Sequence, residues 1–326
     1  MAVKPSPEYF TLLNQAVARE IQVSIQYLLQ HTKMEKLTRK VIPENILLDK
    51  TTYEAVGKFL KDFAIVEMKH AADIMERIYY LGGSATTKSD QVYVGNSLSE
   101  FAKNGVKAEE EALTLYRQII KEACAIGDRE TLRMFERIYK EEEEHLFKFQ
   151  EYANFQGEPQ ETEQAPVSEW RKIFTPDYFD LLNKAVASEI SAIIQYTNQH
   201  EKASALPLRT KNTALEAIQD SNKAKVISDL LKTVFMAEMD HLEKITERIY
   251  LLEGEATYTP DPLPQVGETV GDFLKLDQEA ENYALVLYRQ IIEEARKRGD
   301  NKTRMMFEEI ISQEEDHYWM FDDYVK

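Results

Sequence analysis

The sequence predicts an all-α protein made of two tandem four-helix bundles, on three observations. The first is an internal repeat. Pro7-Glu8-Tyr9-Phe10-Thr11-Leu12-Leu13-Asn14 returns as Pro176-Asp177-Tyr178-Phe179-Asp180-Leu181-Leu182-Asn183, and Leu115-Tyr116-Arg117-Gln118-Ile119-Ile120 returns as Leu287-Tyr288-Arg289-Gln290-Ile291-Ile292. The second is periodicity: each copy carries four long segments with apolar residues at helical spacing and almost no strand-like alternation. The third is a motif. Glu142-Glu143-Glu144-His145 recurs as Glu314-Glu315-Asp316-His317, and upstream stand Glu67-Met68-Lys69-His70 and Glu238-Met239-Asp240-His241.

Taken in order, the first helix of the first copy starts at Ser6 as N-cap with Pro7 in the first position, and its body runs from Asn14 to Leu29. The second runs from about Thr51 to Leu81 and stops at Gly82-Gly83. The third spans Ser97 to Ile126; Gly127-Asp128 then turns the chain into the fourth, which ends near Ala153. The second copy repeats this from Thr175-Pro176, with Gly254 after its second helix and Gly299-Asp300 between its last two. The expected domains are therefore 1–154 and 175–326, joined by a polar, non-periodic linker over 155–174. The connection from Gly83 to Ser97 is too long for a tight hairpin. At roughly 3.3 Å per extended residue it reaches the length of a bundle and is compatible with setting the second and third helices parallel.

Composition narrows the function. A chain of 326 residues with 43% hydrophobic content can fill two cores, and a formal charge of −17 disfavours nucleic acid or an anionic membrane surface as partner. No apolar run approaches the roughly 18 residues of a spanning helix, and Met1-Ala2-Val3-Lys4-Pro5-Ser6-Pro7 has no signal-peptide core, so a cytoplasmic protein is expected. The single Cys124 excludes an intramolecular disulfide and a four-Cys metal site, and is expected as a small apolar group on a helix face. His31 and His200 are expected to cap or flank the ends of the first helix of each half.

Four of the six His close a Glu-x-x-His, a spacing that puts both side chains on one helix face about a turn apart. A single such pair is more often a solvated helix face. Four in register point to metal. A binuclear carboxylate centre in a bundle also needs one inward Glu from each of the two remaining helices. On the third helix Glu109 is level with Glu142, both standing roughly 22–27 Å from the turn at Gly127. Glu281 and Glu314 reproduce that register about Gly299, whereas Glu110 and Glu111 become Asn282 and Tyr283. On the first helix Glu20 and Glu189 are the acids set in otherwise apolar bodies.

These residues, with Tyr27 seven positions after Glu20, resemble the ferritin-like di-iron family, bacterioferritin most closely, over all four helices of each half. The resemblance implies Glu20, Glu109, Glu189 and Glu281 as terminal ligands. It implies Glu67, Glu142, Glu238 and Glu314 as bridges, with His70, His145, His241 and His317 supplying nitrogen. Two di-iron centres, about four Fe per chain, are expected, and Mn accepts the same ligands. Tyr27 and Tyr196 are expected as hydrogen-bonding partners behind the ligands. Met68 and Met239 match the bacterioferritin position that binds haem b at a two-fold interface; the two halves would build that interface as an intramolecular pseudo-dimer, and plain core packing is the alternative. Neither half shows the fifth helix of the bacterioferritin cages, so a cage is not expected. The segments Val41 to Leu48 and Ala214 to Ile218 add length between the first two helices of each half. The implied activity is oxidation of Fe(II) with dioxygen or peroxide, a detoxifying ferroxidase. The alternatives are a di-iron oxidase or peroxidase acting on another substrate, and a non-enzymatic iron-binding or storage component.

Overall fold

The structure, a computed structural model, describes residues 5–39, 46–153, 172–205 and 214–325. Among them eight helices and no strand occur: α1 (Pro7–Arg39), α2 (Ile46–Leu81), α3 (Leu98–Ile126), α4 (Arg129–Tyr152), α5 (Pro176–Ala205), α6 (Ala214–Leu251), α7 (Val270–Arg298) and α8 (Asn301–Val325). They fall into two compact units, α1 to α4 and α5 to α8. The boundaries 1–154 and 175–326 stand as our proposal, the linker between them lying mostly outside the described residues.

Within each unit the helices pair as hairpins, α1 with α2 and α3 with α4, then α5 with α6 and α7 with α8; the two hairpins of a unit meet mainly along α1 and α3, or α5 and α7. The connection after α2 does run the length of α1. Asn14 Nδ2 donates to Ser84 O, Asp90 N to Ala18 O, Tyr93 N to Gln26 Oε1, and Lys33 Nζ to Asn96 Oδ1. Contacts that climb α1 from Asn14 to Lys33 carry the chain back to the far end, so α3 starts there and runs parallel to α2. The second unit repeats the ladder from Asn183 and Glu255 to Lys202 and Gly267.

That strap explains a difference from the sequence reading. α1 does not end at Leu29 but continues to Arg39. Gln30, Thr32 and Lys33 break the apolar body, yet all three are buried. The strap supplies partners, with Gln30 Nε2 donating to Val94 O at 2.8 Å. α2 likewise begins at Ile46 rather than Thr51, and Ala214 to Ile218 form the start of α6; residues 41–45 lie outside the described residues. Consequently His31 and His200 sit inside helices rather than at their ends. Their Nδ1 atoms lie 2.6 Å from Gly57 O and Ser228 O on the neighbouring helix. Cys124, expected as a small apolar group on a helix face, lies on α3 and is exposed. No helix among the described residues is long and apolar enough to cross a membrane.

The turn between α3 and α4 sets the register of the site. Gly127 takes φ 75° and Gly299 φ 76°, left-handed conformations that favour glycine, and each closes the preceding helix through its N–H. Asp128 caps α4, accepting from Thr131 N, and also binds Tyr9 of α1 and Arg77 of α2. Asp300 does the same with Thr303, Tyr178 and Arg248. One buried carboxylate thus ties the hairpin to both other helices, which holds the acids of α3 and α4 at one level.

Candidate metal centre

Every ligand expected from the sequence is buried at the middle of its unit, and the six of each half converge. In the first, Glu20, Glu67, His70 and Glu142 place ligand atoms within 4.8 Å of one another, and so do Glu67, Glu109, Glu142 and His145. In the second the sets are Glu189, Glu238, His241 and Glu314, then Glu238, Glu281, Glu314 and His317. Glu67 and Glu142 belong to both sets of their half, Glu238 and Glu314 to both of theirs.

The shared acids turn one oxygen to each side. His70 Nδ1 lies 3.0 Å from Glu67 Oε2 and 3.0 Å from Glu142 Oε1, whereas His145 Nδ1 lies 2.8 Å from Glu67 Oε1 and 3.1 Å from Glu142 Oε2. The second half repeats this, with His241 Nδ1 3.0 and 3.2 Å from Glu238 Oε2 and Glu314 Oε1, and His317 Nδ1 3.0 and 3.1 Å from Glu238 Oε1 and Glu314 Oε2. Two carboxylates therefore span two adjacent binding positions, with a terminal Glu and an imidazole at each. All four histidines turn the same ring atom, Nδ1, inward.

The donor set fits divalent metal. Glu67 Oε1, Glu142 Oε1 and Glu238 Oε1 are buried with no hydrogen-bond donor, near ring nitrogens but out of line with them. A buried carboxylate oxygen left this way costs about 1–3 kcal/mol, a cost that a cation among hard oxygens and imidazoles removes. The far side of the first ring is also prepared: His70 Nε2 meets Glu141 Oε2 at 2.6 Å, and His241 Nε2 meets Gln313 Oε1 at 2.6 Å. Donation from Nε2 leaves the Nδ1 lone pair free for a metal ion.

The electrostatics express crowding of like charge. Burial, reinforced by Glu142 and Glu67, raises the pKa of Glu20 and of Glu109 well above the carboxylate range. Burial acts the same way on Glu67, but His145 and His70 outweigh it and bring this pKa down to about 2. Burial lowers the histidines, and the carboxylates overcome it, pushing His145 up to about 11, His241 to about 12 and His317 to about 9. Protons and metal ions thus compete for the same atoms.

Tyr27 and Tyr196 take part, though not beside the acid of their own helix. Tyr27 donates to Glu109 of α3, and Tyr196 OH to Glu281 Oε1 at 2.6 Å. The reciprocal pair escaped the sequence reading: Tyr116 of α3 donates to Glu20 of α1, and Tyr288 to Glu189. The signal was present, because Tyr116 follows Glu109 at the same spacing as Tyr27 follows Glu20. Glu141 and Gln313 were hidden inside acidic runs that read as one solvated face. Met68 and Met239 are buried at 4% and 7% exposure beside Glu67 and Glu238.

The ferritin-like domain profile matches residues 10–155 and again 179–326. The chain is 34% identical over 136 residues to the bacterioferritin of Desulfovibrio desulfuricans, covering 41% of this chain and 68% of that protein. It is 31% identical over 141 residues to that of Rhodobacter capsulatus, covering 42% and 76%. Among solved structures it is similar to the Desulfovibrio desulfuricans bacterioferritin, whose diiron site is known in different catalytic states, with 26% identity and a TM-score of 0.40 over 49% of this chain and 83% of that one.

Proposed function

The chain belongs to the ferritin-like family, matched over both of its halves, and on that premise we propose that it is a ferroxidase with two dinuclear centres, oxidising Fe(II) with dioxygen or peroxide. The observation that carries the reading is the pair of shared carboxylates in each half, Glu67 with Glu142 and Glu238 with Glu314. Two Fe(II) ions taken as substrate bind side by side across them, so that both electrons needed by one O–O bond leave from neighbouring positions.

The chain's own groups do the rest. Glu20 and Glu109 each hold one ion from the outside, fixed by the Tyr116 and Tyr27 hydroxyls. Glu141 orients the His70 ring and raises its basicity. The Phe63 ring packs against the His145 ring at 3.9 Å and holds it in place. Metal uptake displaces protons from Nδ1 and from the terminal acids, and the carboxylates that lose them become the ligands. We propose Met68 and Met239, both buried, as haem ligands. A Soret band lost on replacing either methionine tests that assignment. Peroxide and iron detoxification in the cytoplasm is the role we propose.

The test is an anaerobic Fe(II) titration of metal-free protein followed by oxygen or peroxide. We expect about four Fe(II) per chain and their oxidation to ferric product. A plateau at about two, or binding without oxidation, would overturn the reading in favour of an incomplete site or of simple iron binding.

A further inference from the structure

The outer side of the first centre carries a charge network that lies beyond the ligands. Arg137 of α4 reaches two acids at once: its Nη2 donates to Asp73 Oδ2 on α2, and its Nη1 lies 3.4 Å from Glu141 Oε2, one turn further along α4. That same Oε2 stands 2.6 Å from His70 Nε2. A guanidinium presents its donors in a rigid planar fork, so the bond to Asp73 on one prong fixes where the other meets Glu141. Restraint matters here, because the Glu141 side chain is 37% exposed while His70 is 1% exposed. A long side chain at the surface has rotamers to lose, and a partner that removes them in advance spares metal binding that cost.

The second half carries an ion pair at the same place with its signs exchanged. Lys244 of α6 stands where Asp73 stands on α2, and Glu309 of α8 where Arg137 stands on α4. Lys244 Nζ lies 3.0 Å from Glu309 Oε1 and 2.9 Å from Asp240 Oδ2. Either order of signs ties the two helices together, so a purely structural role does not choose between them. The residue behind the histidine does. Arg137 stands four positions before Glu141, an attractive pair one turn apart, whereas Glu309 stands four positions before the uncharged Gln313. An acid in place of Arg137 would set two like charges on one face and drive Glu141 away from His70. Among the described residues no bond joins Lys244 or Glu309 to Gln313, which meets His241 unaided.

We propose that Arg137, braced by Asp73, is a positioning residue of the first dinuclear centre: it holds Glu141 on His70 Nε2, and this keeps His70 Nδ1 turned toward the metal. The proposal rests on the reading of the site as a metal centre. Arg137 supplies orientation only, and the second half dispenses with it because Gln313 has no charge to hold.

Co(II) binding to metal-free full-length protein tests it, in a His317→Ala background where only the first centre is complete. Arg137→Ala should weaken binding about 3-fold, the scale of an exposed ion pair, and should change the visible spectrum of bound Co(II), which responds to how its ligands are oriented. In a Glu141→Gln background, which reproduces the pairing of the second half, Arg137→Ala should have no further effect; a merely structural role would weaken binding equally in both backgrounds. Exchanging the pair outright, with Asp73→Lys and Arg137→Glu together, keeps a bond between α2 and α4. Tm should stay in place, yet Co(II) affinity should fall about 10-fold, as it does when Glu141 is lost altogether. Unchanged affinity and spectrum in Arg137→Ala, or a loss that persists in full in the Glu141→Gln background, overturns the proposal. Failure of the His317→Ala chain itself to bind Co(II) overturns the metal-centre reading and the positioning role with it.

Discussion

The two halves hold the same six groups in the same geometry and differ in what stands behind them. Glu141 backs His70, whereas Gln313 backs His241. Gly105 corresponds to Asp277, and Phe63 against His145 has its counterpart in Val234. The cleft beside α1 and α3 is lined by Arg19, Asn104, Lys107 and Glu111, with Arg19 bonded to Glu111 at 2.5 Å. Its partner beside α5 and α7 carries Leu276, Glu279 and Tyr283. The ligand positions tolerate no such drift, because each must deliver one atom to a shared point. A supporting residue has to supply only a partner of roughly the right polarity. The contrast therefore separates what holds metal from what tunes it.

The largest effect should come from the ligands themselves. His145→Ala should remove the Fe(II) bound by the first half and leave the second half's uptake intact, and His317→Ala should do the reverse, each measured by anaerobic titration. Loss of all binding from either single change would show that the halves are not independent.

Next comes the frame that the halves share. Arg77→Ala and Arg248→Ala each leave a buried aspartate, Asp128 or Asp300, without its cation. Each should destabilise its own half by about 3 kcal/mol in urea unfolding of metal-free protein. Since both networks have the same members, effects that differ by more than about 1 kcal/mol would mean that the two hairpins are not equivalent.

Glu141→Gln converts the first half to the arrangement of the second. Co(II) affinity of that half should drop about 10-fold, and Gln313→Glu should raise that of the other. If neither moves, the atom behind the histidine does not tune the site.

The smallest effect is on pH. Metal replaces a proton on Nδ1, so uptake strengthens as pH rises until the histidine is deprotonated. The His317 pKa is raised to about 9 and that of His145 to about 11, in each case by carboxylates that outweigh burial. The second half, followed in a His145→Ala background, should therefore take up Co(II) at lower pH than the first, followed in a His317→Ala background. The opposite order would show that Glu141 and its surroundings compensate for the more tightly held proton.

Much of this was legible in the chain. Glu-x-x-His is a local spacing, and a helix converts it into a common face whatever surrounds it, so eight of the ligands followed directly. Glu109 and Glu281 followed from counting to a glycine turn, because rise per residue is constant in a helix. Duplication then filtered Glu110 and Glu111 from the choice. What α1 does beyond Leu29 was not legible, since Gln30 and Lys33 read as the start of solvent until the strap over 82–97 supplies Val94 O and Asn96 Oδ1.

By itself, the sequence determined the helical class, the duplication, the twelve candidate ligand positions and their level along the bundle, because each depends on periodicity or spacing within one helix or across one turn. The tertiary structure alone decided which tyrosine meets which acid, that Glu141 and Gln313 stand behind histidines, and that Asp277 is buried between two glutamines. Those pairings join residues far apart in the chain, and no local spacing records them. Only packing brings α1 against α3 and α2 against α4, and in the second half α5 against α7 and α6 against α8, and so chooses the partners.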